Sequence, residues 1–221
     1  MGAGRWTRSV ILFMVASFGS SGAVMGVGTV LGLQVYDLTH SEFDLGLLGI
    51  AQFAPSLVLV LVTGSVADRR DRARVFALGA FGQAAAVFAL AAYAGSEPTS
   101  IGPILVLVIV FGTARAFCTT TQGPLGADLV PPDQLPWLVP RRTLVTRAAG
   151  IVAPVVAGAL YEVDPVYSYL AIAVLLLMCA IAASLIPRRP PALSPRPVAG
   201  GQPESRLHEA LEGWRYIRRS S

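Results

Sequence analysis

The sequence predicts an all-α integral membrane protein with six transmembrane helices and both termini in the cytoplasm, and three observations carry that prediction. The composition is 54% apolar and 14% charged, with a mean hydropathy of +0.62. A globular chain carries about 25% charged residues, and a chain this apolar cannot stay unfolded in water. Residues 10–36, 45–67, 75–96 and 165–187 contain no Asp, Glu, Lys or Arg. Each run can cross about 30 Å of hydrocarbon at about 1.5 Å per residue. Finally, all 17 basic residues are arginine, and outside the spans they gather in alternate segments.

Helix 1, residues 10–36, follows Arg5 and Arg8. Its apolar run exceeds the about 7–15 residues of a signal-peptide core, so it reads as a retained span. Gly22 with Gly26, and Gly28 with Gly32, are spaced for close helix approach or for generic packing. Helices 2 and 3 follow at 45–67 and 75–96. Helix 4, residues 101–122, carries Arg115, and helix 5, residues 139–161, carries Arg147 near its start. Between them, residues 124–137 contain Pro131, Pro132 and Pro136 and predict an interfacial turn or short helix. Helix 6 occupies 165–187. Residues 188–203 read RRPPALSPRPVAGGQP, a proline-rich cytoplasmic linker that cannot form regular helix. Residues 204–221 place Leu207, Leu211, Trp214 and Ile217 at helical spacing among charges. This predicts an amphipathic helix at the cytoplasmic membrane surface or packed under the bundle.

Orientation follows from the arginines. Arg5 and Arg8, then Arg69, Arg70, Arg72 and Arg74, then Arg141 and Arg142, and those after helix 6 all fall on one side. The other side holds Asp37, Glu42, Asp44, Glu97, Glu162 and Asp164 with no Arg or Lys, which the positive-inside rule reads as external. The expected location is the plasma membrane, the inner membrane of a bacterial cell, with membrane lipids as partners of the basic face. Nucleic acid is excluded, because the arginines are dispersed and no recognition module accompanies them.

Enzymatic chemistry finds no footing. The only histidines, His40 and His208, are far apart and outside the spans, so a helical zinc motif is absent. With no lysine there is no phosphate-binding glycine loop ending in Lys. Cys118 and Cys179 lie in apolar stretches, where free thiols behave as small hydrophobes. No catalytic, cofactor-binding or metal-binding residue is expected.

The most informative segment is 64–74, GSVADRRDRAR, between helices 2 and 3. Gly64 permits close approach, Asp68 can accept hydrogen bonds from a neighbouring helix end, and Arg69, Arg72 and Arg74 keep charge at the interface. Glycine, three residues, Asp-Arg and a basic cluster in this order resemble the signature loop of the major facilitator superfamily. Asp71 stands where that loop usually has a second glycine, and Ala73 interrupts the basic pair. Arg115 followed by Gln122 and Gly123 resembles the superfamily's helix 4 arginine motif. Arg147, Gly150, Pro154 and Gly158 resemble the helix 5 pattern of antiporters. Residues 36–57 and 127–139 are similar to the branch containing enterobactin exporters and macrolide efflux carriers. The resemblance covers essentially the whole chain.

It implies a secondary transporter exporting a small molecule, a siderophore, macrolide or other drug, by alternating access with proton antiport. Asp68 and its neighbours would form the cytoplasmic gate. An arginine within a bilayer costs about 2.5–3.5 kcal/mol on insertion scales, so Arg115 either faces the interior as part of the pathway or snorkels to the interface. Arg147 has the same two options. Gly150, Pro154 and Gly158 share one helical face, for gating or for packing. No carboxylate lies deep in a span; Asp37, at an external helix end, is the nearest coupling candidate or a solvated loop residue. VTGSVAD at 62–68 and VAGALYE at 156–162 close helices 2 and 5 on opposite sides, which suits three-plus-three inverted repeats or chance composition. Carriers of this superfamily have two six-helix halves, and this chain spans one. The alternative reading is therefore a truncated half-carrier or membrane assembly subunit without transport activity of its own. Transport by two chains, a homodimer or a partner supplying the second half, is a further option.

Overall fold

The computed structural model describes residues 6–69 and 71–187, and for residues 60–69 the backbone alone. The segments 188–203 and 204–221, expected as linker and amphipathic helix, lie outside the described residues, as do the side chains of Asp68 and Arg69 and the surroundings of Gly64. The chain forms helices α1 (Arg8–Thr39), α2 (Glu42–Arg69), α3 (Arg72–Ala94), α4 (Gly102–Leu129), α5 (Leu135–Tyr161) and α6 (Pro165–Ser184). A 3-10 turn at Pro132–Gln134 precedes α5, and no strand occurs among the described residues. All 6 helices are long and apolar enough to cross a membrane.

Short polar side chains set the helix starts. Thr7 Oγ1 accepts from the Val10 N–H at 3.3 Å, and Asp71 accepts from the N–H groups of Ala73 and Arg74. Asp164 accepts from the Val166 N–H at 2.7 Å. Each satisfies an amide that the first helical turn leaves without a partner. α1 closes at His40, whose φ of 50° is left-handed and whose N–H bonds the Tyr36 carbonyl, so the chain reverses into α2 within two residues.

The facing ends of α4 and α5 differ from the sequence expectation. α4 runs to Leu129 rather than 122, through Pro124, and α5 begins at Leu135 rather than 139. Proline inside a membrane helix is tolerated because neighbouring groups re-satisfy the freed carbonyl. Pro136 occupies the first turn of α5, where an N–H has no helical acceptor to lose. The proline-rich segment thus shrinks to one 3-10 turn. α6 ends at Ser184 rather than 187, ahead of Pro187, because a residue before proline avoids helical backbone.

α3 and α6 run along each other, α1 packs on α5 and α6, and α4 packs on α2 and α3; α2 and α5 are the least covered. Small residues allow the tightest approaches. A Cβ on Gly79 would lie 2.7 Å from Cys118 Sγ and 2.9 Å from the Ala114 carbonyl; one on Gly19 would lie 2.9 Å from Cys179 Cβ. Both cysteines are free and buried, and their thiols donate to carbonyls across these crossings, Cys118 to Phe76 and Cys179 to Ala16.

One buried polar pair ties α1 to α6. The Tyr169 hydroxyl donates to Gln34 Oε1 at 2.6 Å, with both residues buried. Replacing Tyr169 by Phe leaves that amide oxygen without its donor, at a cost of about 1–3 kcal/mol. A lowered thermal midpoint of the detergent-purified protein is the expected result, and an unchanged midpoint would contradict it.

Candidate functional site

The loop joining α2 to α3 sits at the arginine-rich end of the bundle. Asp71, where the family loop usually has glycine, caps α3 and so starts a helix rather than loosening a turn. Arg72 Nη1 reaches Asp128 Oδ2 at 2.8 Å, which ties the start of α3 to the end of α4. Arg74 is more exposed and lies 3.9 Å from Asp71. Gly64, Asp68 and Arg69 belong to the last turns of α2, with the side chains of Asp68 and Arg69 outside the described residues.

Arg115 lies halfway along α4 and is half-buried. Its guanidinium carbon sits 5.9 Å from the centre of the Phe53 ring on α2, within cation–π range. It has no ion pair among the described residues. The arginine therefore meets an aromatic face across the α2–α4 crossing.

Arg147 is placed elsewhere. Because α5 starts at Leu135, Arg147 falls about 18 Å along the helix at about 1.5 Å per residue, near its middle rather than near its start. It lines an open groove of about 600 Å³ between α1 and α5, which Arg115 does not reach. Arg142 lines the same groove, its guanidinium 5.5 Å from the Phe13 ring centre.

The helix 5 small residues divide differently from their spacing. Gly22 and Gly26 of α1 approach Ala149, Ala153 and Ala157 of α5, with virtual Cβ distances of 3.2–3.7 Å. Gly150 and Gly158 lie one residue round the helix. The first has only Met25 Cγ, at 3.8 Å, and the second has nothing within 4 Å. Pro154 is half-buried beside them. Close packing falls to the alanines because their stripe faces α1, leaving Gly150 at the edge of the groove and Gly158 toward open space.

At the acidic end, Asp37 is exposed and its Oδ2 accepts from the Tyr161 hydroxyl at 2.7 Å, which joins the last turns of α1 and α5. The sequence reading missed four residues that the fold sets beside the candidates: Arg142, Asp128, Tyr161 and Phe53. Arg142 alone left a signal, since Arg142, Thr143, Thr146 and Arg147 form one polar stripe at helical spacing. The structure does not gather the candidates into one cluster; it distributes them along the α1–α5 groove, the α2–α4 crossing and the two bundle ends. No group of three or more His, Cys, Asp or Glu positioned to hold a metal occurs among the described residues.

A comparison with curated proteins gives no match. The model of the Major Facilitator Superfamily matches residues 12–221, nearly the whole chain, so this multi-pass membrane protein belongs to that superfamily and is a transporter of the major facilitator type.

Proposed function

We propose that the protein works as one six-helix half of an exporter that moves a small amphipathic molecule by alternating access with proton antiport. The observation that carries this reading is the pair Arg115 and Arg147, each near the middle of an apolar helix and without an ion pair among the described residues. Intramembrane charge of this kind marks a solute path more readily than a packing site. Siderophores, macrolides and related drugs are the substrates that the sequence resemblance favours.

In this reading both termini are cytoplasmic, in a bacterial inner membrane, because the arginine-rich bundle end satisfies the positive-inside rule. The Gly64–Asp68–Arg69 stretch with Arg72 and Arg74 forms the cytoplasmic gate, and the Arg72–Asp128 pair holds its α3 side against α4. Asp37, bonded to Tyr161, is the coupling candidate at the external end. Gly150, Pro154 and Gly158 give α5 an open, bendable face that moves against a second six-helix complement, from a copy of this chain or from other sequence. The sparse cover of α2 and α5 supports such a complement. Exchanging α1 with α4, α2 with α5 and α3 with α6 maps the main packing pairs onto one another, which supports three-plus-three inverted repeats.

Cells expressing the protein should accumulate less of a macrolide, or secrete more of a catecholate siderophore, than cells without it, and a proton uncoupler should abolish the difference. Equal accumulation with and without the protein, in membranes that contain it, would refute the export reading. Native mass spectrometry of the same membranes should find a second six-helix complement; a lone single-bundle monomer would favour a subunit that does not transport by itself.

A further inference from the structure

The α1–α5 groove has the chemistry of an oxyanion site. Along α5 its wall takes every third or fourth residue from Val139 to Ile151, so a single helical face supplies it. That face carries two guanidinium groups, Arg142 and Arg147, and among the described residues no acid lines the groove. Neither arginine has an ion pair among the described residues. The Nε of Arg142 is buried without an acceptor, and the guanidinium carbon lies 5.5 Å from the centre of the Phe13 ring. A buried N–H of a charged group left without an acceptor is costly, and a small turn of the side chain that brings it to an anionic oxygen in the groove removes that cost. The neighbouring hydroxyls are already engaged as donors: Ser21 to the Thr146 carbonyl at 3.2 Å, Thr146 to the Thr143 carbonyl at 3.0 Å. The arginines are therefore the free donors of the groove, and Met25, Val139 and Ile151 give it an apolar wall.

The geometry points to a binding site for an amphipathic oxyanion, its phosphate or carboxylate held by Arg142 and Arg147 and its apolar body lying along Met25 and Ile151. The oxyanion comes either from a soluble solute or from the headgroup of an anionic lipid entering between α1 and α5. The use of the site in export rests on the transport reading above; the binding itself does not.

The test is equilibrium binding of phenyl phosphate to the full chain in neutral maltoside micelles, with and without phosphatidylglycerol. The parent should bind saturably. Arg142→Gln and Arg147→Gln should each weaken binding by about tenfold or more, as expected for loss of a charge-assisted hydrogen bond. Arg141→Gln should not, because that side chain is turned onto Trp137, to whose carbonyl it donates. Phenyl phosphate binding unaffected by phosphatidylglycerol assigns the site to a solute. Displacement by the lipid, with lipid retention lost in both variants, assigns it to a headgroup; either result supports an oxyanion site. Should a variant aggregate, phenylglyoxal modification of Arg142 and Arg147 in the parent, mapped by mass spectrometry, should be slowed by phenyl phosphate. Equal binding by the parent and both variants, or no binding and no protection in the parent, would overturn the inference. Because binding is read without transport, its failure leaves the export reading standing, and a failure of export leaves the site standing.

Discussion

Gly79→Ala should lower the stability of the bundle by about 1–3 kcal/mol, the usual cost of overpacking a filled core. The reason is local and geometric. The added methyl would lie 2.7 Å from Cys118 Sγ and 2.9 Å from the backbone carbonyl of Ala114. The sulfur could move only by giving up its contacts with the Phe76 carbonyl and the Gln83 amide. The carbonyl is part of α4 and moves only if the helix does. Gly79→Val should cost more and reduce the folded yield. Two controls make the test specific. Gly28→Ala, where nothing among the described residues lies within 4 Å, should leave the thermal midpoint undiminished or raise it, because alanine favours helix over glycine. Combining Gly79→Ala with Cys118→Ala should recover part of the loss and show coupling between the sites. An undiminished midpoint for Gly79→Val would mean that α3 and α4 do not approach as described.

The second large effect has opposite signs in stability and activity. Arg115→Leu should abolish export while leaving the protein as stable as the parent or more so. Carrying an arginine within an apolar helix costs about 2.5–3.5 kcal/mol on insertion scales. Arg115 offsets that cost with a cation–π contact to Phe53 at 5.9 Å, and it has no ion pair among the described residues. Leucine removes the cost and keeps apolar contact with α2. Under the proposed function the guanidinium is retained for the solute path, so its loss should appear in transport. Arg115→Lys should be intermediate, since an ammonium keeps the charge but lacks the planar face that stacks on a ring. The measurements are a thermal unfolding curve and an efflux assay on the same preparation. Full transport by Arg115→Leu would remove this residue from the path.

How much of the site was legible follows from these residues. Arg115 and Arg147 stand out in sequence because a charge interrupts an apolar run. Arg142 is less visible, since it sits beside Arg141 in a pair that positive-inside bias explains by itself, and only its place in the polar stripe with Thr143, Thr146 and Arg147 marks it out. The glycine spacing in helix 5 leaves gating and packing both open; the contacts with α1 fall to Ala149, Ala153 and Ala157, one residue round the helix. Asp71 appeared as a departure from a family loop, whereas in the fold it is the residue that starts α3. The Asp37–Tyr161 and Arg72–Asp128 contacts join residues far apart in sequence, and no periodicity encodes them.

From the sequence by itself come the membrane class, the six spans and the resemblance to the superfamily, because each depends on local properties: the apolar length needed to cross hydrocarbon and the order of residues in one loop. Tertiary structure alone decided how each helix is rotated, and with it which arginine lines the α1–α5 groove and which stacks on Phe53. The physical reason is the solvent. In water an amphipathic stripe reveals the buried face of a helix, but lipid tails are as apolar as a protein core. Helices that face lipid on one side and protein on the other therefore carry little periodic signal, and packing of small side chains chooses the face.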